Sequence, residues 1–310
     1  MYDLESCQGC FLGLSLGDAV CAGYEGGIAE RLLWKLIGKT RDGKIRWTDD
    51  TQMAIDLSKS LLANYGLNQD HLAAEFANSY KWSRGYGPSA AKLLKKIRKG
   101  AKWYDVNCSM FPQGSFGNGA AMRAPIIAMF FHGNKSSLIQ AVHDCSIITH
   151  AHPLAIEGAQ IIAAATSNAF LTNDPLILIE QTKETCLSKK FTERFCIACK
   201  LIKYGEKKPP YFIAKNLGNG IAALESCVTA LYIASRFLNK PFSKLTTFVK
   251  KCRGDTDTIA AMAGAIWGAC NGINAFCKDD FKMLEDEAKI RHLSLKIYEK
   301  SPNKTPKRST

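Results

Sequence analysis

Two acidic stretches lie far apart in the chain: Thr48-Asp49-Asp50-Thr51 and Asp255-Thr256-Asp257-Thr258. Both pair carboxylates with hydroxyls, the hard oxygen donors that Mg2+ and Ca2+ take. Each also opens an apolar run. After the second, Ile259, Met262, Ala263, Ile266, Trp267 and Cys270 recur at helical spacing, and after the first Ala54, Leu57 and Leu61 do the same. The carboxylates therefore sit at helix N-termini, where one acidic or hydroxyl side chain caps free N–H groups and meets the positive end of the dipole. A cap uses one residue, and each start offers more oxygen than that. If the two starts meet in space, four like charges converge and need cations to stay together. A two-metal site is the economical reading.

Three further motifs offer chemistry, each with a plainer alternative. Phe111 to Ala124 is a glycine-rich loop opening a helix. Gly114, Gly117 and Gly119 let the backbone approach a ligand, and the N–H groups of the following helix can hold phosphate. No strand precedes the loop, so it is not a dinucleotide-fold fingerprint. Phe111 and Phe116 can stack a nucleobase or simply pack. His150 and His152 stand just before a helix with Pro153 in its first turn; they suit a phosphate, a ribose hydroxyl or a cap, and a zinc site lacks further ligands. Asp18 sits at a helix end and Glu25 in a glycine-flanked loop, where a carboxylate serves as a general acid/base or is merely solvated. The Arg-Gly-Asp at 253–255 reads as a helix start rather than an adhesion tripeptide.

The elements that must position these groups are helical. Apolar periodicity covers about 5–17, 50–64, 69–82, 88–98, 119–131, 136–148, 153–170, 174–187, 191–203, 220–238, 242–250, 257–270 and 279–298, and convincing strand alternation is nearly absent. With 310 residues, 46% of them hydrophobic and 22% charged, the chain reads as globular. The prediction is an all-α, compact single-domain bundle of roughly a dozen helices around a two-metal cleft, spanning 1–298, with a basic disordered tail at 299–310. No window reaches the ~18 apolar residues of a membrane span. The first residues lack a basic n-region, so no signal peptide is expected and the location is read as intracellular, in the cytoplasm. Twelve scattered cysteines read as reduced, mostly buried thiols; the pairs Cys7/Cys10 and Cys196/Cys199 could form a zinc site, but they are far apart in the chain and sit in helical runs, which argues against it. The net charge of +13 suits an anionic partner or solubility alone.

Taken in order, Gly13–Glu25 within "GLSLGDAVCAGYE", "WTDDTQMA", "GNGAAMRA" with "THAHP", and "GDTDTIAAMAGAIWGA" resemble the ADP-ribosylglycohydrolase family, all-α di-magnesium enzymes that include dinitrogenase reductase-activating glycohydrolase. "GNGIAALES" and "GSFGNGAAMR" are most similar to the serine/poly-ADP-ribose-directed branch, while the His-x-His-Pro also resembles arginine-directed members. The resemblance implies that Thr48, Asp49, Asp50, Asp255, Asp257 and Thr258 hold two Mg2+, with Asp255 and Asp257 central to catalysis. It implies that Gly114, Ser115, Phe116, Gly117 and Asn118, with Phe111 beside them, grip ADP-ribose, and that His150 meets the diphosphate. It also implies that Glu25 is a mobile glutamate near the metals that takes part in serine-directed catalysis.

The expected activity is Mg2+-dependent hydrolysis of the glycosidic bond between ADP-ribose and a protein side chain, with ADP-ribosylated proteins as substrates and ADP-ribose as product. Serine or poly-ADP-ribose linkages are favoured, and ADP-ribosyl-arginine is the alternative. A non-catalytic, ADP-ribose-binding or crystallin-like member of the fold is the competing class, and the presence of all four aspartates speaks against it. Nucleic acid is not an expected partner, and nothing in the sequence sets the oligomeric state.

Overall fold

The structure, a computed structural model, describes residues 2–205 and 207–302. Among them are seventeen α-helical segments, four short 3-10 turns and no strand, only isolated bridge pairs. The all-α expectation holds, with more and shorter helices than the periodicity suggested. The last helix, Glu287–Lys300, ends beside the buried Ser301, whose hydroxyl donates to the Phe130 carbonyl at 2.8 Å. Residues 303–310 of the expected tail lie outside the described residues.

Three local differences have physical reasons. The helix Ile28–Ile37 lies between two stretches read as breaks. It has no buried residue, and Ile28, Leu32 and Leu36 point outward, so no core-facing stripe announces it. The expected 279–298 helix is split into Lys278–Lys282 and Glu287–Lys300 by Asp286, whose φ of 46° is left-handed and breaks helical hydrogen bonding. In the glycine-rich region the α-helix begins only at Ala124, after a 3-10 turn over Asn118–Ala120.

At the centre, helix Leu4–Cys21 lies antiparallel against Thr256–Asn271. Glycines make the contact possible. A Cβ on Gly9, Gly13 or Gly17 would stand 2.3 Å from the carbonyl oxygen of Gly268, Gly264 or Ala260 respectively. The spacing i, i+4, i+8 puts all three on one face, and backbone packs on backbone. This pairing carries Asp18, one residue beyond Gly17, to the N-terminal end of the second helix. Helices Pro153–Ala169, Ala223–Arg236 and Phe242–Cys252 pack around the pair. Cys7, Cys10, Cys21, Cys145, Cys227 and Cys252 are buried as free thiols.

A second device aims the first acidic start. The Ile45 N–H donates to the Met283 carbonyl at 2.6 Å, and the Glu285 N–H donates back to Ile45 at 3.0 Å. Glu285 in turn accepts both guanidinium nitrogens of the buried Arg84, at 2.7 and 2.9 Å. Arg84 also donates to the Trp47 carbonyl at 2.9 Å and lies over the Trp47 ring. A paired, stacked guanidinium of this kind fixes the backbone entering helix Asp49–Asn64.

The glycine contact gives an expected result. Gly13→Ala places a methyl against a rigid carbonyl, so the helices must separate, and the loss should be about 1–3 kcal/mol, the overpacking range. Chemical denaturation checks it. An unchanged midpoint would mean that the helices do not approach this closely.

Candidate functional site

Asp18 organises the site although it was not assigned as a ligand. It is fully buried, and its oxygens accept the Thr48 N–H at 3.0 Å, the Thr51 N–H at 3.1 Å and the Thr51 hydroxyl at 2.6 Å. The carboxylate of one helix thus caps the start of another. Thr48 is the N-cap of helix Asp49–Asn64, its hydroxyl accepting the Asp50 N–H.

The second start docks onto the first. Thr258 donates its hydroxyl to the Asp50 carboxylate, at 3.2 and 3.3 Å from the two oxygens, and Thr256 donates to the Cys21 carbonyl at 3.0 Å. The Asp255 N–H is held by the Asn219 carbonyl at 2.8 Å. The preceding Gly254 has a φ of 76°, and a Cβ there would run into that same Asn219 oxygen, so only glycine allows this approach. The Asp255 carboxylate accepts the Asn118 amide at 2.5 Å, and Asn118 also donates to Ser226 at 3.0 Å.

Two groups of carboxylates result. Ligand oxygens of Asp18, Asp50 and Asp257 lie within 4.8 Å of one another, as do those of Glu25, Asp255 and Asp257. Asp257 belongs to both. Its Oδ1 is buried and has no hydrogen-bond partner among the described residues. Burial, then the charges of its neighbours, pushes Asp49, Asp50 and Asp257 well above the ordinary carboxylate range. Burial raises Asp255 too, and lifts Asp18 to about 6. Glu25, half-buried, is raised to about 7 by desolvation and then by Asp255. A buried acidic group with an orphaned oxygen is an unfavourable arrangement for the protein alone and fits a divalent cation.

One pocket joins this cluster to the glycine-rich loop. It is lined by Glu25, Asp49, Asp255, Asp257 and Thr258, by Phe111, Ser115, Phe116, Gly117 and Asn118, and by His150. Met53, Leu93, Met110 and Ile221 add apolar wall. Phe116 is 50% exposed, its ring 6.2 Å from that of the partly exposed Phe111, so both rings are open to a ligand in the pocket. The other assigned residues serve from behind. Thr48 and Asp50 are buried under the floor, and Gly114 turns the loop at a φ of 83°, tight against the backbone of Ala151 and His152. Asn118 faces the pocket, but its amide is spent on Asp255 and Ser226, which makes it a support for a carboxylate. His152 caps helix Pro153–Ala169 through Nδ1, accepting the Leu154 N–H.

A family profile described as ADP-ribosylglycohydrolase matches residues 3–307. The chain belongs to the ADP-ribosylglycohydrolase family. It is a hydrolase acting on ADP-ribose glycosidic bonds, and the family acts on ADP-ribosylated substrates. Among similar proteins, the ADP-ribosylhydrolase ARH3 of Xenopus tropicalis is 31% identical over 305 residues, covering 86% of this chain and 87% of that protein. The ARH3 of Homo sapiens is 30% identical over 316 residues, covering 87% and 86%. A solved structure described as an ADP-ribosylglycohydrolase-related protein complex shares the fold, with a TM-score of 0.70 and 21% identity over 96% of this chain and 98% of that one. No helix among the described residues is long and apolar enough to cross a membrane.

The acid cluster makes a prediction for the metal-free protein. Asp18 and Glu25 titrate higher in the folded chain than the roughly 3.9 and 4.3 of unfolded carboxylates. The folded state therefore keeps protons that the unfolded state has released, and stability falls as pH rises through that window. Between pH 5 and 8 the melting temperature in EDTA should drop by about 5 °C or more. Excess Mg2+ should remove the drop by binding only the folded state. A melting temperature that rises with pH in EDTA would contradict the clustering.

Proposed function

We propose that this protein is a Mg2+-dependent hydrolase that releases ADP-ribose from protein side chains, with serine linkages or poly-ADP-ribose as its preferred substrates. The supporting observation is the convergence of both acidic helix starts and Glu25 in the same pocket as the aromatic, glycine-rich loop. One part of such a pocket suits cations and ribose hydroxyls, and another suits a diphosphate and a base.

Thr48, Asp49, Asp50, Asp255, Asp257 and Thr258, with Asp18 beneath them, would hold two Mg2+. When bound, the cations supply Lewis-acid stabilisation and make water more acidic. The protein does the rest. Phe116 and Phe111 offer faces for adenine, and the loop over 114–118 with His150 offers polar groups to the diphosphate. Asn118 and the Asn219 carbonyl hold Asp255 in place. Cleavage breaks the bond between the anomeric carbon of the distal ribose and the acceptor oxygen, through an oxocarbenium-like state. Glu25 gives its proton to the departing serine oxygen, and water adds to the anomeric carbon, losing a proton to a carboxylate of the cluster. Serine is preferred because an alkoxide leaves poorly without an acid, and because Gly218–Ser226 and Gly114–Arg123 resemble the serine-directed branch.

The ligand reading is checked by ADP-ribose titration. Phe116→Ala should weaken binding by about 1–3 kcal/mol, the range for base–aromatic stacking. Because Phe116 is half exposed, the change should leave stability unaltered. Unchanged affinity would make Phe116 a packing residue only.

A further inference from the structure

Behind the His150 ring lies a guanidinium that no carboxylate balances among the described residues. Arg123 is fully buried. It donates to the Gly119 carbonyl at 2.5 Å, the Cys145 carbonyl at 3.0 Å, the Cys145 sulfur at 3.3 Å and the Thr149 hydroxyl at 2.9 Å, all neutral acceptors. Its remaining face rests on the Phe76 ring, 4.9 Å from the centroid. A buried cation without a counter-ion is expensive, and here it stands one hydroxyl away from a pocket residue.

We propose that Arg123 and Thr149 are positioning residues that fix His150 as the neutral tautomer protonated on Nε2, so that an uncharged N–H donor backed by a buried cation faces the phosphates of a nucleoside-diphosphate ligand. The identity of that ligand rests on the function proposed above; the tautomer does not.

The hydrogen-bond inventory carries the argument. Arginine only donates, so the Thr149 hydroxyl, 4% exposed, accepts from Arg123. Its other polar neighbour is His150 Nδ1, at 2.8 Å. Were Nδ1 protonated, the hydroxyl would accept twice, and its own proton would have no protein acceptor among the described residues. The hydroxyl therefore donates to Nδ1, and the single ring proton sits on Nε2. An imidazolium meets the same obstacle and adds a second positive charge beside Arg123. Accordingly, burial and then Arg123 lower the His150 pKa to about 3.

The Nε2 edge is left open by two glycines. A Cβ on Gly119 would fall 2.5 Å from Cε1 and 2.8 Å from Nε2, and one on Gly117 would lie 3.3 Å from Nε2. His150 lines the pocket, and no protein hydrogen bond among the described residues uses Nε2. The field of Arg123 reaches the anion through Thr149 and the ring, and the charge itself stays out of solvent. Thr149 and Arg123 are therefore predicted to act on ligand binding more than on bond cleavage.

The test uses the full-length protein with 15N-labelled histidine, in Mg2+, near neutral pH. The His150 signals are assigned by their loss in His150→Asn. Wild type should show an unprotonated Nδ1 and a protonated Nε2, and Thr149→Ser should keep that pattern. Thr149→Val, which keeps the shape and removes the hydroxyl, should shift the ring toward Nδ1 protonation. It should also raise the dissociation constant for ADP-ribose about tenfold, the loss expected for one hydrogen bond to a charged group. KM for a modified peptide should rise by more than kcat falls, the mark of lost ground-state binding. A wild-type His150 protonated on Nδ1, or a Thr149→Val protein with an unchanged tautomer, overturns the proposal. Failure of wild type to bind ADP-ribose while showing the expected tautomer would instead overturn the ligand reading.

Discussion

Asp257→Asn should cost at least about a thousandfold in turnover, equivalent to about 4 kcal/mol of transition-state stabilisation. Among the described residues no other side chain belongs to both carboxylate groups, and its Oδ1 has no hydrogen-bond partner there to lose. The substitution keeps the volume and removes one charge from a buried set whose members raise one another's pKa. Metal-free Asp257→Asn should therefore melt at a higher temperature than metal-free wild type at pH 8, although it is inactive. Mg2+ should stabilise the variant much less than it stabilises wild type. This inversion, a dead enzyme with a firmer apo fold, separates a functional carboxylate from a structural one. A variant that is both inactive and less stable in EDTA would place Asp257 among the residues that merely build the helix start.

Glu25→Gln should slow cleavage of ADP-ribosyl-serine by about a hundredfold to ten-thousandfold, the contribution of a positioned general acid or base. The residue is half-buried and shares the second carboxylate group with Asp255 and Asp257. In the metal-free protein burial and Asp255 raise it to about 7, the direction that favours a carboxyl able to donate a proton. The same variant should lose much less on ADP-ribosyl-arginine, because a guanidinium that retains its proton leaves as a neutral group. Offering both peptides to both proteins decides the point. Rapid cleavage of the arginine peptide alone, indifferent to Glu25→Gln, would overturn both the acceptor preference and the role of Glu25.

What the chain discloses on its own follows from the range of each interaction. The stripe from Ile259 to Cys270 and the carboxylates before it are local, and both helix starts were expected from them. Their meeting was a condition of the two-metal reading rather than something either stretch shows, and the Thr258–Asp50 contact meets it. Asp18 was noticed only as a helix-end residue. Its partners, Thr48 and Thr51, are brought to it by the glycine face of helix Leu4–Cys21, and the i, i+4, i+8 spacing of Gly9, Gly13 and Gly17 was the available signal. The Asn118–Asp255 bond joins residues 137 positions apart, so the amide read as ligand-facing because no sequence pattern shows where it is spent. Arg123 and Thr149 stand inside the quoted "GNGAAMRA" and "THAHP", but neither motif shows that the two side chains meet, since a polar side chain buried beneath a loop breaks no periodicity that a core helix requires. The helix Ile28–Ile37 stayed hidden for the opposite reason: its apolar residues face outward and are bracketed by glycines.

The most direct measurement is the release of free ADP-ribose from a serine-ADP-ribosylated protein, followed by mass spectrometry, with metal-stripped enzyme before and after Mg2+ is restored. The account predicts no release in EDTA, release of intact ADP-ribose and unmodified serine once Mg2+ is in excess, and none from Asp257→Asn under either condition. Equal release in EDTA, or no release from the modified protein with Mg2+ present, would contradict it.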